Sequence, residues 1–173
     1  MRRVSDSFSD PAYRAGSFVL LLALGVIVTA LGFEYIGGHV PCPLCLQQRF
    51  AYYIGVPATF VALVLLASGQ VAVARLLFLA VALVFLANAG LGVYHAGAEW
   101  KFWAGPSTCD VPAGGVTTSA NDLLKGLGNT RVARCDSPGW WFLGLSFAGW
   151  NALMSFILFA GAVQAAFAAT RGR

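Results

Sequence analysis

Two cysteines stand two residues apart in Cys42-Pro43-Leu44-Cys45, and two more, Cys109 and Cys135, lie farther along the chain. The short gap lets the first pair close a small, reactive ring, whereas the 25 residues between Cys109 and Cys135 suit a disulfide across a loop. Thiolates attacking disulfides pass electron pairs from one such couple to the next. Set in a chain that is otherwise nearly hydrocarbon, the two pairs imply electrons moving from water into lipid.

The residues around the first pair favour reactivity. Pro41 and Pro43 flank Cys42, and a helix is expected to start within a residue or two of Cys45. Aligned backbone dipoles at a helix N-terminus favour the thiolate. Arg49 lies four residues beyond Cys45, so the two share a helical face. A permanently charged, donor-rich guanidinium beside a thiolate at the membrane boundary suits a flat, lipid-soluble molecule whose carbonyl oxygens become anionic on reduction, as a quinone's do. The bland reading of Arg49 is a side chain snorkelling into the headgroups. For the cysteines it is a structural staple or two metal ligands. A zinc ribbon needs a second closely spaced pair, and the gaps of 63 and 25 residues fit it poorly.

Around the second pair, Pro106 to Pro112 reads as an extended, accessible segment that could lie in the groove of a soluble oxidoreductase. If a partner thiolate attacks Cys109, Cys135 leaves. The neighbouring Arg134 and nearby Arg131 stabilise a departing thiolate, partly offset by Asp136, and low-pKa thiols leave faster. A stapled loop is the alternative.

These residues must be positioned by membrane helices. Of 173 residues 58% are hydrophobic and 10% charged, with a mean hydropathy of +0.73; soluble domains carry about 25% charged residues. Charge-free runs cover Ala15–Phe33, Phe50–Ala74, Leu76–Ala98 and Ser137–Thr170. A helix needs about 20 mainly apolar residues to cross a bilayer. The expected fold is an all-α membrane protein, a single domain over 1–173 forming an antiparallel bundle of four transmembrane helices. The expected spans are 15–35, 49–68, 76–95 and 141–168, with extracytoplasmic loops at 36–48 and 96–140. The first apolar run is too long for a cleaved signal and reads as an uncleaved anchor.

Basic residues set the orientation. Six fall in the 26 residues of 1–14, 69–75 and 169–173, against five in the 57 residues of 34–49 and 97–137. The bias puts both termini in the cytoplasm. All four cysteines then face the oxidising side, where disulfides persist. The net charge of +4 is this orientation signal rather than a nucleic-acid patch. Pro57 is expected to kink the second helix, Gly69-Gln70 to make a tight inner turn, and Gly16, Gly25 and Gly32 to permit close helix packing. Leu123, Leu124 and Leu127 suit either a small amphipathic turn on the membrane or plain loop.

The segment CPLCLQQR at 42–49, the Cys109/Cys135 loop pair and Trp141-Phe142-Leu143-Gly144-Leu145 opening the last span resemble the disulfide bond formation protein B (DsbB) family. The resemblance covers all but the tails. It implies a bacterial inner-membrane enzyme, cysteine loops in the periplasm, that reoxidises a DsbA-like thioredoxin-fold oxidase and reduces ubiquinone or menaquinone. By position, Cys109 would form the mixed disulfide with the partner and Cys135 would relay the exchange to Cys42. Cys45 would face the quinone beside Arg49, with His95 a further quinone-pocket residue. His39 reads as either a tuner of Cys42 or a plain loop histidine. Gln48 departs from those members that carry an acid before the arginine, which bears on thiol tuning. No metal site is expected.

Potentials support two couples in series. A DsbA-like partner sits near −120 mV, so an ordinary structural disulfide below about −300 mV would oxidise it only uphill by roughly 8 kcal/mol. A high-potential sink is needed, and a membrane quinone is one. A vitamin K epoxide reductase-like enzyme combines similar parts, but its CxxC belongs near the start of the last span, whereas here it precedes the second. A disulfide-stapled scaffold without catalysis and a metal-binding membrane protein are the remaining alternatives.

Overall fold

The computed structural model describes residues 10–106, 135 and 140–171. Cys109 and the segment 121–127 lie outside these. Four long helices lie among the described residues: α1 (Pro11–Tyr35), α2 (Pro43–Ala67), α3 (Val71–Glu99) and α4 (Phe147–Arg171). All four are long and apolar enough to cross a membrane, with mean hydropathies of 2.4, 2.0, 2.4 and 1.9 in their most apolar windows.

Local chemistry sets the helix ends, and it moves them from where hydropathy alone puts them. Asp10 caps α1, its carboxylate accepting the Ala12 N–H at 2.9 Å, and Pro11 takes the first helical position. Those two residues start the helix four positions before the expected span. Cys42 and Pro43 do the same for α2, so its first turn includes Cys45 and Arg49 lies well inside. The helix continues through Pro57. Its end is a Schellman turn: the Gln70 N–H reaches the Leu65 carbonyl at 2.9 Å around Gly69, whose φ of +85° suits glycine. The inner turn at Gly69-Gln70 is therefore as expected.

Two boundaries differ more. The third helix continues past residue 95 to Glu99, so His95 sits within α3 rather than after it. The fourth begins at Phe147, not Trp141. Residues 141–146 form a two-stranded hairpin, β1 (Trp141–Phe142) and β2 (Leu145–Ser146), with Trp141 opposite Ser146. Its turn residues, Leu143 and Gly144, have φ of 50° and 81°. Two consecutive left-handed residues build a tight hairpin turn and cannot continue a right-handed helix. Ser146 then caps α4, its Oγ accepting the Gly149 N–H at 3.2 Å.

The helices pack in the ring order α1, α2, α3, α4, with α3 against α4 the most extensive contact and only slight contact between α2 and α4. Phe78, Phe85, Leu158 and Val19 fill the centre. Outward, Leu21, Val28, Ile54, Phe60, Leu83 and Phe156 are exposed, as expected of a lipid-facing surface. Polar side chains turn inward and bond one another: Tyr52 donates to Asn151 at 2.8 Å and Asn88 to Ser155 at 2.9 Å.

Small residues set how closely the helices approach. A Cβ on Gly92 would lie 2.9 Å from the Ala152 backbone, and one on Gly16 would lie 2.8 Å from Leu63 and Phe78. Gly25 and Gly32 face open space, so of the three glycines singled out from sequence only Gly16 makes a close approach. Gly92→Ala should therefore cost about 1–3 kcal/mol by forcing α3 from α4, seen as a lower thermal midpoint in detergent. Gly90→Ala, which meets nothing within 4 Å, should leave the midpoint unchanged or raise it slightly.

Candidate functional site

The start of α2 is built around a sulfur. Cys42 occupies the N-cap position, and its Sγ accepts the Cys45 N–H at 3.2 Å, as a serine oxygen would. The Cys42 and Cys45 sulfurs are 2.8 Å apart, and both are free thiols. The hydrogen bond shared with Cys45 holds the Cys42 thiol far below its ordinary value of 9.0, at about 5. Burial opposes this shift, while His95 and the Cys45 backbone N–H add to it.

His95 comes from α3, 2% exposed. Its Nε2 is 3.6 Å from Cys42 Sγ, and its Nδ1 is 3.0 Å from the Gln48 amide nitrogen. With that amide donating to Nδ1, the ring proton sits on Nε2, facing the sulfur. Cys135 completes the cluster. It is buried and disulfide-bonded, and its Sγ, Cys42 Sγ and a His95 ring nitrogen all lie within 4.8 Å of one another. A sulfur already in a disulfide is not a thiolate ligand, so this grouping suits exchange between sulfurs better than metal coordination.

Beneath the thiols lies a cavity of about 970 Å³. Its apolar arm runs along α1 past Leu21, Leu22 and Val26. Its polar end carries Cys42, Cys45, Gln48, Arg49, His95 and Glu99. The size and the mixture of apolar walls with a few convergent polar groups suit a ligand pocket.

The cavity brings Cys42, Cys45, Arg49 and His95 together, as the sequence suggests, and Cys135 lies against two of them, Cys42 and His95. Arg49 also has a partner that spacing did not reveal. Its Nη1 is paired with Glu34 of α1, and its Nη2 donates to the Ala30 carbonyl at 3.5 Å. The guanidinium therefore enters the pocket already neutralised. His39 packs edge-on against Phe33 and Phe147 and also lines the cavity, with no contact to Cys42 among those it makes there.

Three site residues escaped the sequence reading: Glu34, Glu99 and Ser146. The i, i+4 spacing of His95 and Glu99 was the available signal, hidden because the helix was expected to stop at residue 95. In the structure His95 Nε2 is 3.9 Å from Glu99 Oε1, and the other carboxylate oxygen receives the Ser146 hydroxyl.

Comparison with known proteins agrees with this assembly. Residues 14–165 match the family model of disulfide bond formation protein DsbB. Disulfide bond formation protein B of Marinobacter nauticus is 31% identical over 151 residues, covering 81% of this chain and 83% of the relative. Disulfide bond formation protein B 2 of Pseudomonas putida is 35% identical over 148 residues, 81% of each. No solved structure matches the chain. The tetraspan fold, the CxxC at the head of α2 and these matches place the chain in the DsbB family, as a multi-pass membrane thiol oxidoreductase of disulfide bond formation.

Proposed function

We propose that this protein takes electrons from a periplasmic DsbA-like thioredoxin-fold oxidase and passes them, through two cysteine pairs, to ubiquinone or menaquinone in the bacterial inner membrane. The observation that carries the reading is the disulfide-bonded Cys135 within 4.8 Å of Cys42, which itself opens onto the apolar cavity.

The steps follow from that arrangement, with the Cys135 disulfide assigned to Cys109, the remaining cysteine of the chain. A partner thiolate attacks Cys109 and Cys135 leaves as a thiolate. When the inner pair is oxidised, Cys135 attacks Cys42 and expels Cys45. The partner's second thiol releases Cys109, and Cys109 attacks Cys135, freeing Cys42. This leaves an outer disulfide and an inner dithiol, in keeping with a disulfide-bonded Cys135 and free Cys42 and Cys45 thiols. Two electrons and two protons then pass to the quinone as Cys42 and Cys45 close their ring.

Low basicity at Cys42 suits this direction. Stabilising a thiolate stabilises the reduced couple and makes its disulfide a stronger oxidant. The quinone supplies the high-potential sink; the chain supplies the thiols, an apolar arm along α1 for an isoprenoid-like tail, and the Arg49–Glu34 pair and His95 around the polar end. The basic bias toward the end of the bundle holding Arg14 and Arg75 supports cytoplasmic termini and periplasmic cysteines.

Two measurements check this reading. Anaerobically, the purified protein with reduced partner and a ubiquinone or menaquinone analogue should bleach the quinone absorbance. The bleaching should disappear in Cys45→Ser and Cys109→Ser. No bleaching with any quinone would instead favour a disulfide-stapled scaffold.

The second concerns pH. The folded-state value of Cys42 is depressed, so its thiolate contributes stability to the dithiol protein that is fully present above the unfolded thiol range. That contribution is lost as pH falls through about 5. The thermal midpoint of the dithiol form should therefore fall between about pH 9 and 5 relative to the disulfide form. Alkylation of Cys42 should titrate near 5 and move upward in Cys45→Ala, more than in His95→Ala.

A further inference from the structure

We propose that Glu99 is the redox-linked proton site of this enzyme: it binds a proton when Cys42 becomes a thiolate and surrenders it to the quinone when Cys42 is reoxidised. The inference rests on the quinone-reducing function proposed above and adds to it the source of one of the two protons that the reaction consumes.

Geometry carries the argument. His95 Nε2 lies between two acceptors, 3.6 Å from Cys42 Sγ and 3.9 Å from Glu99 Oε1. Gln48 occupies the other ring nitrogen at 3.0 Å. One N–H thus serves a thiolate and a carboxylate. When Cys42 is in a disulfide its sulfur is neutral, and His95 is available to Glu99 alone. When Cys42 is a thiolate, two anions face one donor in a site where His95 and Glu99 side chains are 2% and 6% exposed. Like charges that close, with little solvent, do not both persist.

The other carboxylate oxygen is committed as well. Ser146 Oγ accepts the Gly149 N–H as the cap of α4, so its single proton is directed to Glu99 Oε2. Oε1, toward His95, is left to gain or lose the proton. Glu99 also ends α3, where the helix dipole is negative and repels a carboxylate. The remaining titratable groups of the cavity are Cys45, Arg49 and Tyr52 on α2, Glu34 on α1 and His39 in the following loop. Arg49 is engaged with Glu34, so among the described residues no guanidinium is paired with Glu99.

The step balances. The dithiol state holds a Cys42 thiolate, a Cys45 thiol and a protonated Glu99. The two sulfurs give two electrons to the quinone and form the Cys42–Cys45 bond. Cys45 and Glu99 give one proton each, leaving hydroquinone, a disulfide and a Glu99 carboxylate. Net charge in the site is the same before and after. On the next reduction by the partner dithiol, one of its protons returns to Cys45 and the other to Glu99.

The test needs neither quinone nor partner. The full chain is equilibrated in thiol redox buffers between about pH 6 and 8, and the state of Cys42 and Cys45 is read by alkylation and mass spectrometry. Once the two protons that the buffer thiols themselves release on oxidation are corrected for, each proton taken up by the protein on reduction changes the equilibrium constant about tenfold per pH unit. Two protons give the unaltered protein a dependence approaching 100-fold per unit. Glu99→Gln, which keeps the shape and the Ser146 contact, should flatten it toward tenfold. An unchanged pH slope in Glu99→Gln, or a slope lost in His95→Gln instead, overturns the proposal. In the unaltered protein, infrared difference spectra should show a protonated carboxyl band in the dithiol form that is absent from the disulfide form. No such band also overturns it, even if Glu99→Gln fails to fold. Failure of the unaltered protein to reduce any quinone would remove the quinone as proton acceptor while leaving the pH slope to judge Glu99.

Discussion

Cys42 caps a membrane helix with sulfur where serine or aspartate is usual, and much of the structure follows from accommodating an anion there. The capped Cys45 backbone N–H, the Cys45 thiol and the imidazole of His95 converge on one atom. Pro43 gives up no hydrogen bond by sitting at the first helical position, and it fixes the turn that brings Cys45 back toward the cap. Were α2 to start where hydropathy rises, near residue 49, neither the cap nor the four-residue step to Arg49 would exist. The helix must therefore begin outside the purely apolar run, and its polar first turn is what the cavity is built around.

The rest of the bundle keeps that polar turn at the edge of lipid without exposing it. Backbone groups are satisfied within four helices, and large apolar side chains face outward. Inside, the Tyr52–Asn88–Asn151–Ser155 cluster ties α2, α3 and α4 together one layer below the thiols. Gly92 lets α3 and α4 approach at the backbone, and near the same end of the pair Ser146 bonds to Glu99. By contrast α1 contributes the apolar arm of the cavity and Glu34. The tight α3–α4 pairing thus serves the thiols, and α1 closes the pocket.

The four helices, the membrane class and the meeting of Cys42, Cys45 and Arg49 were legible because hydropathy and short spacings are local signals, whereas His95 came only from the family resemblance. What could not be read depends on contacts across the bundle. Glu34 and Arg49 are fifteen residues apart and meet because α1 and α2 are antiparallel neighbours. Ser146 reaches Glu99 only because Leu143 and Gly144 turn the chain into a hairpin, where an uninterrupted apolar run looked like helix. The α1 start was legible after all: Asp10-Pro11 is a strong helix-entry signal, outweighed by attention to the apolar run.

Charge is what links the electron path to the protons. Glu34 and Arg49 cancel each other, so neither alone would supply a field for the proposed quinone on its reduction. A guanidinium without its acid would hold an anionic product more tightly and slow its departure. A neutral pair instead offers donors without a net charge, favouring release of a neutral hydroquinone. On the far wall, a thiolate beside His95 and Glu99 adds one negative charge each time the inner pair is reduced. In a low-dielectric pocket such a charge costs several kcal/mol unless a proton or a cation answers it. Electrons can therefore enter this cavity freely only when protons accompany them. Under the proposed function, the polar residues at the head of the bundle are what would move the two together.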